Sequence, residues 1–221
     1  MLPVVVTVPV FPLISITLGL CLLAWVIWPI LSFQLVYGDF NSTISPLAED
    51  FIEIARAEEN ADFTKASNWF PQNPSRKTVA WVDSYFISIP KLRIVNALVK
   101  IGTDDLSKNL IHYGGTGLPG KYGNAVIFGH SVLPQFYDPT SYLTIFSLLP
   151  TLKEGDDIFI KYDGVDYRYT VESKRITDPD NVSGLEQRFD DSYITLVTCV
   201  PPGTYLKRLW LTARQKSFGE K

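Results

Sequence analysis

Two cysteines and two histidines among 221 residues leave few side chains able to do nucleophilic or proton-transfer chemistry. Cys199 closes a Val/Leu/Thr-rich run within ITLVTCVPPGTYLKRLWLTA (194–213), where Pro201, Pro202 and Gly203 force a loop and a second strand restarts near Lys207. A thiol at a strand end facing a loop is open to reaction. It attacks as the thiolate and so needs a base or a cation beside it. Arg208 stands nine residues on, at the start of the next strand. If the two strands pair across the loop, its guanidinium returns alongside Cys199, where it can stabilise negative charge or grip a carbonyl. His130 ends another β-like run (Ala125 to Phe128) in NAVIFGHSV, with Gly129 read as allowing a sharp bend. Histidine is the side chain best suited to exchange protons near neutral pH. Taken singly, each residue has a plainer reading: a small buried hydrophobe, a hydrogen-bonded imidazole, a solvated guanidinium. Their conjunction carries the chemistry.

The elements that must position these three groups are mostly strands. From Val79 onward, segments rich in Val, Ile, Tyr, Phe and Thr recur between turn signals. The pattern predicts strands at Tyr85–Ile89, Leu92–Lys100, Ala125–Gly129, Asp157–Tyr162, Val165–Arg175, Tyr193–Cys199 and Lys207–Arg214. Asp163–Gly164 suits the left-handed φ values of a tight hairpin turn. Short helices are expected over Thr103–Leu110 and Leu143–Leu149. Many short strands in this length predict an all-β domain, a closed or nearly closed barrel, which by itself implies no chemistry.

The residues together resemble the sortase family. TLVTC (195–199) matches its TLxTC signature, and the stretch from Cys199 through Pro201 and Gly203 to Arg208 matches its Cys-to-Arg loop. LPGKYGNAVIFGHS (118–131) looks like the segment that ends in its catalytic histidine, and SIPKLRIVNALVKIG (88–102) is similar to its first two strands. The likeness spans about residues 79–216. It implies a sortase-like β-barrel outside the cytoplasm and a two-step acyl transfer. Cys199 would attack the Thr carbonyl of an LPxTG-like sorting signal on a secreted protein and form a thioester, with His130 protonating the leaving amine. An amine from a cell-wall precursor or a pilin lysine would resolve it. Arg208 and the backbone N–H after Cys199, that of Val200, would hold the oxyanion. Thr198 and Ser131 complete the expected substrate contacts. His112, in LIHYGGTGLPG, is read as structural or as an accessory to the rim. No inhibitory lid of the kind many pilin-building sortases carry is evident ahead of the barrel. Some sortases bind calcium, but Asp156, Asp157, Asp163 and Asp166 flank strands and turns where solvated acids are ordinary, and a hard cation needs several converging oxygens. No metal or cofactor is expected.

The same residues admit two other readings. Papain-like hydrolases place Cys before His and at a helix start, the reverse of the order here, and the Ser-His-Gly-Cys run of L,D-transpeptidases is missing. A membrane-anchored barrel that binds peptides without catalysis is the non-enzymatic alternative.

No Asp, Glu, Lys or Arg precedes Asp39. Residues 1–37 are read as an uncleaved transmembrane anchor, its run from Leu13 to Tyr37 being long enough for the roughly 20 residues of a crossing. A signal peptide would show a basic n-region, a shorter apolar stretch and a small-residue cleavage site. Asp39, Glu49 and Asp50 after the span favour the bulk of the chain outside, giving a single-pass membrane protein. Residues 38–78 read as a stalk, with Ser45 and Pro46 starting a short helix and NWFPQNPSRK (68–77) marking a boundary. The barrel follows over 79–216, then a tail at 217–221. A net charge of -3 argues against nucleic acid as a partner. Cys21 and Cys199 lie in different parts of the chain, so no disulfide is expected, and two Cys with two His lack zinc spacing.

Overall fold

The computed structural model describes residues 10–37, 62–70 and 80–216. The chain divides into two compact units, Met1–Ile44 and Ser45–Lys221. The expected helix start at Ser45, the boundary residues 71–77 and the tail at 217–221 lie outside the described residues. In the first unit a helix, α1, runs from Val10 to Tyr37. Among the described residues no helix is long and apolar enough to cross a membrane.

The second unit is a closed barrel of eight strands. They are β1 (Ser84–Ile89), β2 (Ile94–Ile101), β3 (Leu110–His112), β4 (Gly123–Phe128), β5 (Asp157–Tyr162), β6 (Val165–Thr177), β7 (Ser192–Val200) and β8 (Lys207–Lys216). Around the barrel the order is β1-β2-β3-β4-β7-β8-β6-β5, with β5 returning to β1. Closure leaves no free sheet edge. The pairs β2/β3 and β4/β7 are parallel and the others antiparallel. The hairpin predicted at Asp163–Gly164 joins β5 to β6, and both of its central residues have positive φ.

Seven of these strands match the predicted ones to within a few residues. The eighth, β3, was not predicted and begins at Leu110, the last residue of the helix expected over Thr103–Leu110. That stretch forms turns pinned by Asp105, whose carboxylate accepts from the Ser107 N–H at 3.0 Å, before Leu110 enters the sheet. The helix expected over Leu143–Leu149 is instead a chain of turns. The N–H groups of Thr144, Ser147 and Leu149 donate to the carbonyls three residues back, the tighter 3₁₀ pattern.

Strand alternation decides which side chains face the barrel interior. In β4 and β7 the residues Val126, Phe128, Val197 and Cys199 share one buried cluster with Trp210 of β8 and with Trp69 and Phe70 from the segment ahead of the barrel. That segment is no barrel strand, so this cluster sits on the outer face of the wall. The intervening Ile127, Leu196 and Thr198 turn inward and are fully buried.

Candidate active site

Adjacent strands β7 and β8 put Cys199 directly opposite Arg208. Residues directly opposite in an antiparallel pair project from the same face, so Cys199 and Arg208 share one face of the wall. This is the juxtaposition the sequence predicted from the Cys-to-Arg loop. β4 runs parallel to β7, with Phe128 paired to Val197 at its end. His130 follows two residues beyond Phe128, on the extension of the same wall.

Trp69 is the common neighbour of the three. Its ring centroid lies 6.1 Å from that of His130 and 5.2 Å from the guanidinium carbon of Arg208, and it shares the buried cluster with Cys199. Arg208 donates from Nη1 to the carbonyl of Tyr205 at 2.9 Å, which anchors one arm of its fork. Its Nε, like Nε2 of His130, is buried without a hydrogen-bond partner among the described residues. Two unpartnered nitrogens on two buried, chemically versatile groups are uncommon in a satisfied core. Burial pushes the His130 imidazole below its ordinary pKa, against the weaker opposing pull of Asp62 and Asp105.

The thiol was expected at an open strand end. It is in fact 2% exposed, with Arg208 at 1% and His130 at 8%, because residues 62–70 lie over all three. This overturns the reading of that segment as a plain linker without a lid. Ser67 donates from its backbone N–H (2.6 Å) and its hydroxyl (2.7 Å) to the Asp104 carboxylate, and the Ala66 N–H donates to the Asp104 carbonyl at 2.9 Å. Trp69 stacks on Phe128, Phe70 stacks on Trp210, and Phe63 stacks on Tyr205 of the loop between β7 and β8. A signal for this was present in the sequence: two adjacent large aromatics in NWF are costly to leave in water.

The expected substrate contacts fare differently. Thr198 is fully buried and donates its hydroxyl to the Gly129 carbonyl at 2.8 Å, which spends its proton on the backbone just ahead of His130. Val200 is also fully buried, and its side chain offers no contact surface. Ser131 is half-buried and donates its hydroxyl to the Cys199 carbonyl at 2.7 Å. Gly129 is needed for space rather than for a bend. A Cβ there would come within 2.5 Å of Phe146 and 2.6 Å of Leu110.

His112 is on the other side of the wall. Its neighbour Ile111 belongs to the outer cluster, so by alternation His112 points into the barrel. The Thr116 hydroxyl spends its proton on the Tyr113 carbonyl (2.6 Å) and therefore accepts from His112 Nε2 (3.3 Å). Nδ1 then accepts from the Tyr85 hydroxyl at 2.9 Å. The reading of His112 as structural stands, and the rim role does not fit an inward side chain. Among the described residues no group of three or more His, Cys, Asp or Glu is placed to hold a metal. A polar cavity of about 440 Å³, lined by residues including Tyr122, Asp191 and Arg214, lies at the opposite ends of β4 and β7.

Three comparisons bear on this arrangement. The family model of the Sortase domain matches residues 87–216. Sortase D of Bacillus subtilis (strain 168) is 26% identical over 195 residues, covering 87% of this chain and 89% of that protein. Among solved structures, a Clostridium perfringens Sortase D5 transpeptidase superposes with a TM-score of 0.52 at 26% identity, over 61% of this chain and 79% of that one. Sortase A from Corynebacterium diphtheriae, studied as a lid mutant, gives 0.54 at 27% identity, over 79% and 96%.

Proposed function

The chain belongs to the sortase family, whose members are cysteine transpeptidases, and on that premise we propose that it is a membrane-anchored transpeptidase acting on an LPxTG-like sorting signal. The observation that carries this reading is the direct cross-strand pairing of Cys199 with Arg208, with His130 at the end of the strand alongside. The Cys199 sulfur attacks the Thr carbonyl carbon of the signal as its proton passes to His130. The C–S bond forms, the Thr–Gly C–N bond breaks, and the same proton goes from His130 to the departing amine. An acceptor amine, from a cell-wall precursor or a pilin lysine, then attacks the thioester. It gives its proton to His130, a new C–N bond forms and the thiolate leaves. Arg208, with its free Nε, and the Val200 backbone N–H are the donors for the oxyanion.

Substrate entry requires Trp69 and Phe70 to swing away from the catalytic face, since they occupy the space over it. The anchor is supported by composition. The large apolar side chains of α1, from Ile14 through Leu22 to Trp28, are exposed, and lipid is the solvent that suits them. The catalytic unit then stands on the outer side of the cell membrane, where sorting signals of secreted proteins arrive.

The test is mass spectrometry of the protein after incubation with a library of LPxTG-like peptides. A thioester adduct on Cys199, whose peptide ends at the Thr, is expected; it should be lost in Cys199→Ala and strongly reduced in His130→Ala. The proposal fails if no library member leaves an adduct on Cys199 even after the segment over the site has been opened by Trp69→Ala.

A further inference from the structure

The β4/β7 ladder ends just before the two residues that must react together. Its last pair is Phe128 with Val197, and the Gly129 N–H still reaches the Val197 carbonyl at 3.1 Å. Beyond that point the backbone of residues 129–132 leaves the sheet, and His130 would ride on a loop with the freedom loops have. Hydroxyl groups take over from the ladder. Thr198 donates to the Gly129 carbonyl at 2.8 Å, and the Ser147 hydroxyl accepts from the Val132 N–H at 2.8 Å. The His130 carbonyl accepts from the Phe146 N–H at 3.0 Å. Between these bonds sits the one that joins the two catalytic residues most directly: Ser131 Oγ donates to the carbonyl of Cys199 itself at 2.7 Å.

We infer that Ser131 is a positioning residue that fixes the distance between His130 and Cys199 by clasping the histidine's loop to the nucleophile's own carbonyl. The inference rests on the reading of Cys199 as nucleophile and His130 as its proton partner. It replaces the substrate-contact role expected for Ser131 from the sequence. A single neutral hydrogen bond contributes little to folding as a whole. A misplacement of about 1 Å between reacting groups, in contrast, can cost up to two orders of magnitude in rate. The clasp should therefore show in the chemical step, with little effect on the fold or on substrate affinity.

Ser131→Thr and Ser131→Val are nearly isosteric with each other and differ in the hydroxyl, so comparing them separates the hydrogen bond from packing. Steady-state transpeptidation should give a kcat within about twofold of the parent for Thr. For Val it should be lowered of order tenfold with KM within about twofold. Alkylation of Cys199 by iodoacetamide across pH needs no peptide substrate and reads the same geometry. The Val variant should lose the His130-dependent part of the profile and resemble His130→Ala, and the Thr variant should keep it. Equal kcat and equal alkylation profiles for Thr and Val would overturn the clasp, as would a loss in Val confined to KM. If no peptide adduct forms on Cys199 even in Trp69→Ala, the transpeptidase reading fails, while the alkylation comparison still decides the role of Ser131.

Discussion

At the scale of single residues, the chemistry rests on what a guanidinium can do that an ammonium cannot. Arg208 is held at three points: the stack over Trp69, the bond from Nη1 to the Tyr205 carbonyl, and the strand register with Cys199. Nε has no hydrogen-bond partner among the described residues. Lysine at this position keeps the charge but has no planar fork to divide between an anchor and an oxyanion. Arg208→Lys should lower kcat by roughly a hundredfold, the usual cost of losing an oxyanion donor, while thermal unfolding shifts little. Peptide-cleavage kinetics with a parallel melting curve check this, and near-normal turnover would remove Arg208 from the mechanism. The three residues proposed to react were legible as candidates in the sequence because each sits at a strand end within a specific signature. The period of two explains why the side chains of Thr198 and Val200 are fully buried: if Cys199 faces outward, its two neighbours face the barrel interior.

At the scale of elements, residues 62–70 govern access to the site. They are held by stacked aromatics over the catalytic groups and by Ser67 and Ala66 on Asp104 at the side. The stretch reads as a connector because it is short and mostly polar and runs into Pro71 and Pro74, and its three buried side chains, Ala66, Trp69 and Phe70, are too few to mark a packed element. Its partners, Asp104 among them, lie far along the chain. Two ways of loosening it should have the same effect. Trp69→Ala removes the plate over the thiol, and Asp104→Ala removes the lateral latch without touching the site. Both should raise the alkylation rate of Cys199, by about tenfold or more for Trp69→Ala, since alkylation requires an opening that these contacts oppose. Burial is also what depresses the His130 pKa, so its imidazole should titrate at higher pH in Trp69→Ala than in the parent. Alkylation followed by mass spectrometry, and NMR titration of the His130 ring, read the two effects. An unchanged alkylation rate in both variants would mean that the thiol is reached by some other route.

At the scale of the whole molecule, closing eight strands into a barrel creates an interior, and that interior holds a titratable group with no part in the proposed reaction. The barrel was readable from recurring β-rich runs and one hairpin turn. Strand β3 was not, because three residues carry too little alternation to stand out from the turns before them. That short strand delivers His112 into the core, where burial holds its pKa down at about 4. Its bonds to Tyr85 and Thr116 use the neutral ring, with the proton on Nε2. In the unfolded chain the same group titrates near 6.5. Between the two values the unfolded state binds a proton that the folded state refuses, so stability falls as pH drops from about 6.5 to about 4 and this contribution is then complete. The shift corresponds to roughly 3 kcal/mol at most, a large share of a domain's total stability. His130, also depressed, adds in the same direction. Urea unfolding of His112→Gln should therefore show a shallower loss of stability than the parent over that window, with His130→Gln as the companion for the smaller share. Parallel pH curves for His112→Gln and the parent would mean that protonation of this ring is tolerated in the folded barrel, and that the Tyr85 and Thr116 bonds do not select its neutral form.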